Sequence, residues 1–473
     1  MKKLHIVIVL SLISIVVSNC KKYLDINNDP NDPLSVSESL ILAPAEVTLS
    51  SQVVGGFNGT TTAYWMQQLS LNQPGNQYLI KPVDVDNTWS FYIYPNILKN
   101  LHDMVAQAET KGHNQYVAIG KTLMAYALAI ATDCWGDVPY SQAFQGANML
   151  RPTYDPQAYI YSSIQNLLDS AVYYSNQTAS AVAPSSDDYI YGGNMAQWRK
   201  LMYMLKARYY LRLSNAPGRT AVLQADSALT AIQNGFASNA DNMQMSYPGT
   251  PGYQTPWYNN TQPGAGGVVL GASFVDSLLA RNDPRLPIIA DTNELGTYAG
   301  LPSGADPVPD PNVFSSVNTF YGGYLPIEQI TSGSSAPLYL ATYTEQLFIQ
   351  AEATFIVNGP AAATPIYNSA ITAHMKMLNV PAASITTYIQ SRPSLTAANG
   401  IQQIINEKFV ADFLSIETWN DWRRTGYPTL ALAQHAYTNY IPVRWPYAQT
   451  AILANPQPQD SATTKDPVWW NSK

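Results

Sequence analysis

Between residues 95 and 235 apolar side chains recur at steps of three and four, and that spacing commits the chain to helices. Tyr116, Ile119, Leu123, Tyr126 and Ile130 form one stripe, and Ile160, Ile164, Leu167, Ala171 and Tyr174 form another. Trp198, Leu201, Met202, Leu205, Tyr209 and Leu213 make a third, closed by Pro217-Gly218, and Leu223 to Ile232 make a fourth that ends at Gly235. An amphipathic helix is stable only when its apolar face is covered. Successive helices joined by short turns therefore predict hairpins stacked side by side in the manner of tetratricopeptide arrays, although no recurring consensus register is present.

From about Phe236 to Pro337 the pattern breaks into a region rich in Gly, Pro, Asn and Ser, with one short helical candidate at Ser273 to Ala280. Helical spacing resumes at Tyr343 to Val357 and Ala363 to Leu378. It continues as one long helix through Ile401, Ile405, Lys408, Asp412, Phe413, Ile416 and Trp419, which Gly426 and Pro428 stop. The stretches around Gly55 to Leu79 and Tyr247 to Tyr324 read as extended. The expected fold is mainly α: one domain over residues 20–473, with a helical scaffold at about 36–235 and 340–430 and a loop-rich insert at 236–337.

The N-terminus predicts export. Lys2 and Lys3 precede an apolar run, Leu4 to Val17, that is too short to span a bilayer and has the form of a cleavable signal over residues 1–19. Val17-Ser18-Asn19-Cys20 resembles a lipobox, which makes Cys20 an acylated anchor to a membrane surface. Cys134, the second of two cysteines, then lacks a disulfide partner and reads as a small buried apolar side chain. Charged residues are 12% of the chain, about half the usual share. The 32 Tyr, with Asn, Gln, Ser and Thr, must supply much of the surface polarity. A net charge of −7 argues against a nucleic-acid partner, and the hydroxyl- and amide-rich surface suits neutral, hydroxylated ligands.

No motif marks catalysis. The five histidines are scattered, and neither a Gly-x-Ser-x-Gly elbow nor a His-Glu-x-x-His helix is present, so no metal, cofactor or catalytic residue is expected. Asp84, Asp86, Glu328 and Glu345 leave a glycoside hydrolase as an alternative, since that chemistry needs only two suitably spaced carboxylates. A protein-binding helical adaptor is the other alternative.

Six ordered blocks resemble the SusD/RagB family of Bacteroidetes outer-membrane nutrient-binding lipoproteins. They are Cys20 to Asn27, with Lys21-Lys22 where the family often has acids; Thr132-Asp133-Cys134-Trp135-Gly136-Asp137-Val138-Pro139-Tyr140-Ser141; Arg281-Asn282-Asp283-Pro284-Arg285-Leu286; Gln350-Ala351-Glu352-Ala353; Glu407-Lys408-Phe409 with Trp419 to Pro428; and Ile441 to Tyr447. The resemblance implies four tetratricopeptide-like helix pairs and an irregular, ligand-binding remainder. It also implies a non-catalytic, outward-facing lipoprotein that captures an oligosaccharide, less often a peptide, and delivers it to a SusC-like TonB-dependent transporter.

The blocks themselves read as scaffold. Asp421, Arg423 and Arg424 lie at a helix end where they can pair with carboxylates or bind open carbonyls. Asp133 and Asp137 can satisfy backbone donors around a left-handed turn at Gly136. Trp89 and Trp198 read as core anchors. Ligand contacts are expected from aromatics in polar loops, because a sugar presents a CH face for stacking and hydroxyls for amides. The candidates are Trp65, Asn72, Gln77 and Tyr78 in one stretch. Tyr253, Trp257 and Tyr258 occupy a second, which faces Tyr321 and Tyr324 in a third.

Overall fold

The structure is a computed structural model and describes residues 36–73, 77–262, 267–324 and 333–472. The signal and the anchor expected at Cys20 lie outside the described residues.

Helices of eight or more residues are numbered in chain order. α1 (Glu38–Val47) runs through a wide-turned segment, Thr48–Phe57, into α2 (Asn58–Trp65). A second wide-turned segment, Thr88–Lys99, leads into α3 (Asn100–Lys111). There follow α4 (Asn114–Trp135), α5 (Gln157–Ser175), α6 (Met195–Arg212) and α7 (Ala221–Ile232). After the loop-rich region, which contains α8 (Ala272–Ala280), come α9 (Tyr343–Asn358), α10 (Pro360–Met377), α11 (Ala382–Ser391), α12 (Gly400–Ala411) and α13 (Glu417–Thr425). α3 packs on α4, α4 on α5, α6 on α7 and α9 on α10, and α9 also packs on α7. These are the expected hairpins, and α9 and α10 are joined by Gly359 alone.

α4 is the spine. Nearly every residue from Gln115 to Trp135 is buried, because neighbours cover it on several sides. Apolar burial of this extent supplies the main driving force, at ~25 cal/mol per Å². Trp135, Trp198, Trp419, Trp445 and Trp470 are fully buried. The indole N–H of Trp135 donates to the Pro446 carbonyl (2.8 Å), and that of Trp419 to the Pro442 carbonyl (2.9 Å). The C-terminal segment is thereby fastened to α4 and α13. Cys134 is buried as expected, and desolvation pushes its thiol well above the ordinary value.

Charge is buried along with the tryptophans. Arg208 of α6 forks onto Glu345 of α9 (2.7 and 2.6 Å). One turn on, Arg212 bonds Asp133 of α4 (2.6 Å) and Glu417 of α13. Arg424 clasps Glu352 of α9 (2.7 Å for one of two bonds) and Asp421 (3.0 Å), while Lys408 of α12 bonds Asp421 (2.6 Å). Arg423 lies 3.5 Å from the Trp419 ring centre and donates to the Asp133 carbonyl (2.7 Å). Each side chain in this network is almost wholly removed from solvent. The expected scaffold role of Asp421, Arg423 and Arg424 is what their contacts show.

Three local readings need correction. Gly55 to Trp65 is helical, because tertiary packing overrides the weak propensity of Asn-Gly-Thr-Thr-Thr. Gly59 is required there, since a Cβ would sit 2.1 Å from the Val54 carbonyl oxygen. The long helix expected through Ile401–Trp419 is two helices, α12 and α13, separated at Leu414 (φ 64°). Gly136 has φ 83° but ψ −114°, a conformation open to glycine and outside the left-handed helical well. Asp137 accepts from the Gln157 amide (2.9 Å), as expected, but Asp133 takes side-chain donors, among them Tyr161 (2.5 Å) and Trp470 (2.8 Å).

Removing one partner of this network leaves buried charge uncompensated. Arg212→Met should destabilise the protein by about 3–5 kcal/mol in chemical denaturation. Glu46 is a buried acid of the opposite kind: desolvation, reinforced by the Asp188 carboxylate, raises it well above its ordinary 4.5. The folded state then keeps a proton that the unfolded chain releases above pH 4.5. The associated stability is complete below that pH and is lost as pH rises through the folded value. Glu46→Gln removes this loss, so its thermal midpoint should exceed that of the wild type by a margin that widens as pH rises above 4.5.

Candidate functional site

Most of the aromatics expected at the ligand turn out to hold the loops to the body. Trp65 is buried edge-on against Trp419 (5.3 Å), and Trp257 and Tyr258 are also buried. Tyr78 is buried, its hydroxyl accepting from the Ala433 amide (3.0 Å). Tyr321 packs edge-on against Phe413 (5.1 Å) and lies 3.3 Å from His374 Nε2. The other nitrogen of that ring is 3.2 Å from Arg285, which can only donate, so Nδ1 accepts and the proton sits on Nε2. Burial and the Arg285 charge hold His374 well below its usual range, so it is neutral.

Asn72 acts as a staple, accepting from the Val308 amide (2.8 Å) and donating to the Val308 carbonyl (2.9 Å). Gln77 is half-buried and its carbonyl accepts from Tyr437 (2.8 Å). Tyr253 is exposed on a turn. Tyr324 is different: it is half-buried and borders a cleft of about 640 Å³.

A short strand pairing supports that cleft. β1 (Leu69–Leu71) runs antiparallel to β3 (Val268–Leu270), with Ser70 opposite Val269. The second sheet, β2 (Met243–Met245) with β4 (Leu338–Ala341), ties the insert to the start of α9. Leu270 accepts from Leu301 and donates to Ser315 (both 2.9 Å), while Asp291 donates its amide to Ser316 (3.0 Å). Val268, Val269 and Phe314 thus form an apolar wall, with Tyr324 beside it. The expected meeting of the second and third stretches is real, since the Tyr324 amide donates to Thr261 (3.1 Å) and its ring lies 5.5 Å from Tyr258.

A polar wall of the same cleft is made by Asp291, Thr292, Asn293 and Glu294, which run alongside residues 312–316. Asn293 organises this wall: its carboxamide oxygen accepts from the Leu295 and Thr297 amides (3.1 and 3.0 Å), and its NH₂ donates to Val313 (3.0 Å). Asp291 accepts from Asn318 (2.6 Å) through one oxygen, while the other is buried with no hydrogen-bond donor among the described residues. Desolvation raises its pKa. Phe314 and the 291–294 segment escaped sequence reasoning. The Asn293-x-x-x-Thr297 turn pattern was a usable signal for the latter; nothing local marks Phe314.

The insert is also electrically one-sided. Residues 236–337 carry Asp241, Asp276, Asp283, Asp291, Glu294, Asp306, Asp310 and Glu328, against Arg281 and Arg285 alone. Both arginines are engaged by Glu407 (3.1 and 2.5 Å), and Arg285 is fully buried against Asp283. A smaller cleft, about 370 Å³, lies beside Arg281, Asn406 and Leu430 and offers no aromatic face beyond buried Phe409. The larger cleft combines apolar faces, amides, hydroxyls and carboxylates, which suits a polyhydroxylated ligand.

Comparison with known proteins agrees on the architecture. A chitin-binding protein superposes with a TM-score of 0.79 at 23% identity, covering 92% of this chain and 100% of that one. A SusD/RagB family protein from Bacteroides thetaiotaomicron gives 0.75 at 23% identity, covering 93% and 99%. A chitin-binding SusD homologue from Flavobacterium johnsoniae gives 0.74 at 20% identity, covering 92% and 98%. At these identities the likeness establishes the fold, mainly α with tetratricopeptide-like hairpins. No curated protein sequence matches significantly. The sequence profile of a SusD-like family, described as starch-binding and associating with the outer membrane, matches residues 30–448. With nine-tenths of its length inside that match, the chain belongs to the SusD-like family of outer-membrane nutrient-binding proteins.

Proposed function

We propose that this protein is a lipid-anchored capture protein on the outer face of the outer membrane, which binds an oligosaccharide in the cleft between Tyr324 and Asn293 and releases it to a SusC-like TonB-dependent transporter. The chain folds as one domain after removal of residues 1–19, with Cys20 as its anchor. The observation that carries the reading is the cleft itself, whose lining combines aromatic and apolar faces with fixed amides, hydroxyls and carboxylates. Tyr324 and Phe314 supply surfaces for a sugar ring, and Asn293, Asp291 and Thr292 face its hydroxyls.

Family membership supports the nutrient, and the two chitin-binding relatives support a glycan over a peptide. A relative from Bacteroides vulgatus, described as a putative outer membrane protein in nutrient binding, supports the location. Catalysis has no support in the carboxylates that sequence left open. Glu345 is locked in its fork with Arg208, Asp84 caps the turn at Lys81 (2.7 Å), and Asp86 accepts from Thr450 (2.9 Å). Glu328 lies outside the described residues. A solvent-exposed stacking site gives modest affinity, in the micromolar to millimolar range, that rises with ligand length.

Calorimetric titration against a panel of oligosaccharides, with product analysis of the same samples, tests this reading. Binding without cleavage is expected; cleavage, or binding of peptides alone, contradicts it. Tyr324→Ala should weaken binding by about 1–2 kcal/mol through loss of the stacking face. Tyr321→Phe should leave affinity unchanged and lower stability by about 1 kcal/mol, because its hydroxyl serves His374.

A further inference from the structure

The cleft is acidic in a way that a neutral glycan does not require. Asp291 and Glu294 both border it, and no lysine or arginine is among the residues that line it. Nor can a nearby loop supply one. Between Arg285 and Lys376 the sequence contains no Lys or Arg, and neither do residues 263–266 that precede β3. The two arginines of the insert are held by Asp283 and Glu407.

Asp291 is the group least provided for. It is half-buried, it accepts from the Asn318 side-chain amide, and its second oxygen is shielded from water with no donor among the described residues. Ionised carboxylates in such surroundings are ordinarily paired with a cation or with several N–H groups. Neither is found among the described residues, so a cation that enters the cleft would supply the missing counter-charge. A hydroxyl group can donate a hydrogen bond but brings no charge. A protonated amine does both, and the Tyr324 and Phe314 faces accept the ring that carries it.

We propose that the cleft selects an amino sugar, an oligosaccharide with free glucosamine-type ammonium groups, over the corresponding neutral and N-acetylated sugars. This inference rests on the oligosaccharide-binding reading above and adds the charge of the ligand. Asp291 is the principal partner of the ammonium group, and Glu294 reinforces it from the mouth of the cleft. Anionic polysaccharides are excluded by the same field, since every charged group on the lining repels them.

Three β-1,4-linked tetramers that differ at C2 test it: glucosamine with its free amine, N-acetylglucosamine, and glucose with a hydroxyl. They are titrated into the purified protein at about pH 6, at low and at high salt. The amine tetramer should bind about tenfold tighter than either neutral one at low salt, with the advantage shrinking at high salt. Asp291→Asn should abolish most of the advantage of the amine tetramer over the two neutral ones, whatever it does to the affinity of the neutral sugars themselves. Should that variant fold poorly, Glu294→Gln should reduce the advantage in part, and the salt dependence of the wild type stands by itself. Equal affinity for all three tetramers, or preference for a neutral sugar of any backbone, overturns this inference and leaves glycan capture intact. Absence of binding to every amine-bearing and neutral glycan overturns both.

Discussion

The buried charge network is the constraint on which the rest of this molecule depends. Arg208, Arg212, Lys408, Arg423 and Arg424 meet Asp133, Glu345, Glu352, Glu417 and Asp421 where water is excluded. Each charge there carries a desolvation cost that only a correctly positioned partner offsets. The partners come from α4, α6, α9, α12 and α13, so these helices can be assembled in one relative arrangement without stranding an ion. Apolar packing alone tolerates shifts between helices; a two-pronged Arg–Glu fork does not.

That constraint explains what the most recognisable parts of the sequence do. The segments around Asp133, Glu352, Glu407-Lys408 and Trp419–Arg424 look like functional motifs because they are rich in charge and tryptophan. Each delivers its charge inward. Asp133 alone takes bonds from Arg212, Tyr161 and Trp470, and Arg423 is flanked by two indoles while it binds the Asp133 carbonyl. A scaffold fixed this firmly leaves ligand chemistry to the segment between α7 and α9, where short two-stranded pairings and side-chain staples such as Asn72 and Asn293 hold irregular chain in place. The same segment carries most of the net negative charge of the protein, which is why carboxylates border the cleft.

The helices were legible because their signal is periodic and local: the stripes of α4 to α7 predict both their existence and their pairing. The short strands were not, since three residues such as Met243–Met245 or Val268–Leu270 are too few to show alternation and are fixed by partners far along the chain. The division of Ile401–Trp419 into two helices was hidden for a similar reason, because a single left-handed residue, Leu414, breaks an otherwise continuous pattern. The site was the least legible part. Tyrosine in a Pro/Gly-rich loop fits a ligand platform and a loop anchor equally well, and Tyr78, Tyr258 and Tyr321 went inward while Tyr324 reached the cleft. Phe314 and Asp291 are brought there only by the pairing of 290–291 with 316–317, which no local pattern announces.

The most direct test of this division between scaffold and site is a hydrogen-exchange footprint of the protein with and without a bound oligosaccharide. The account predicts slowed exchange confined to residues 267–270, 291–297 and 311–324, with the amides of 407–424 equally protected in both states. Ligand-dependent protection centred on 407–424 or on 132–141, with the cleft segments unaffected, would contradict it.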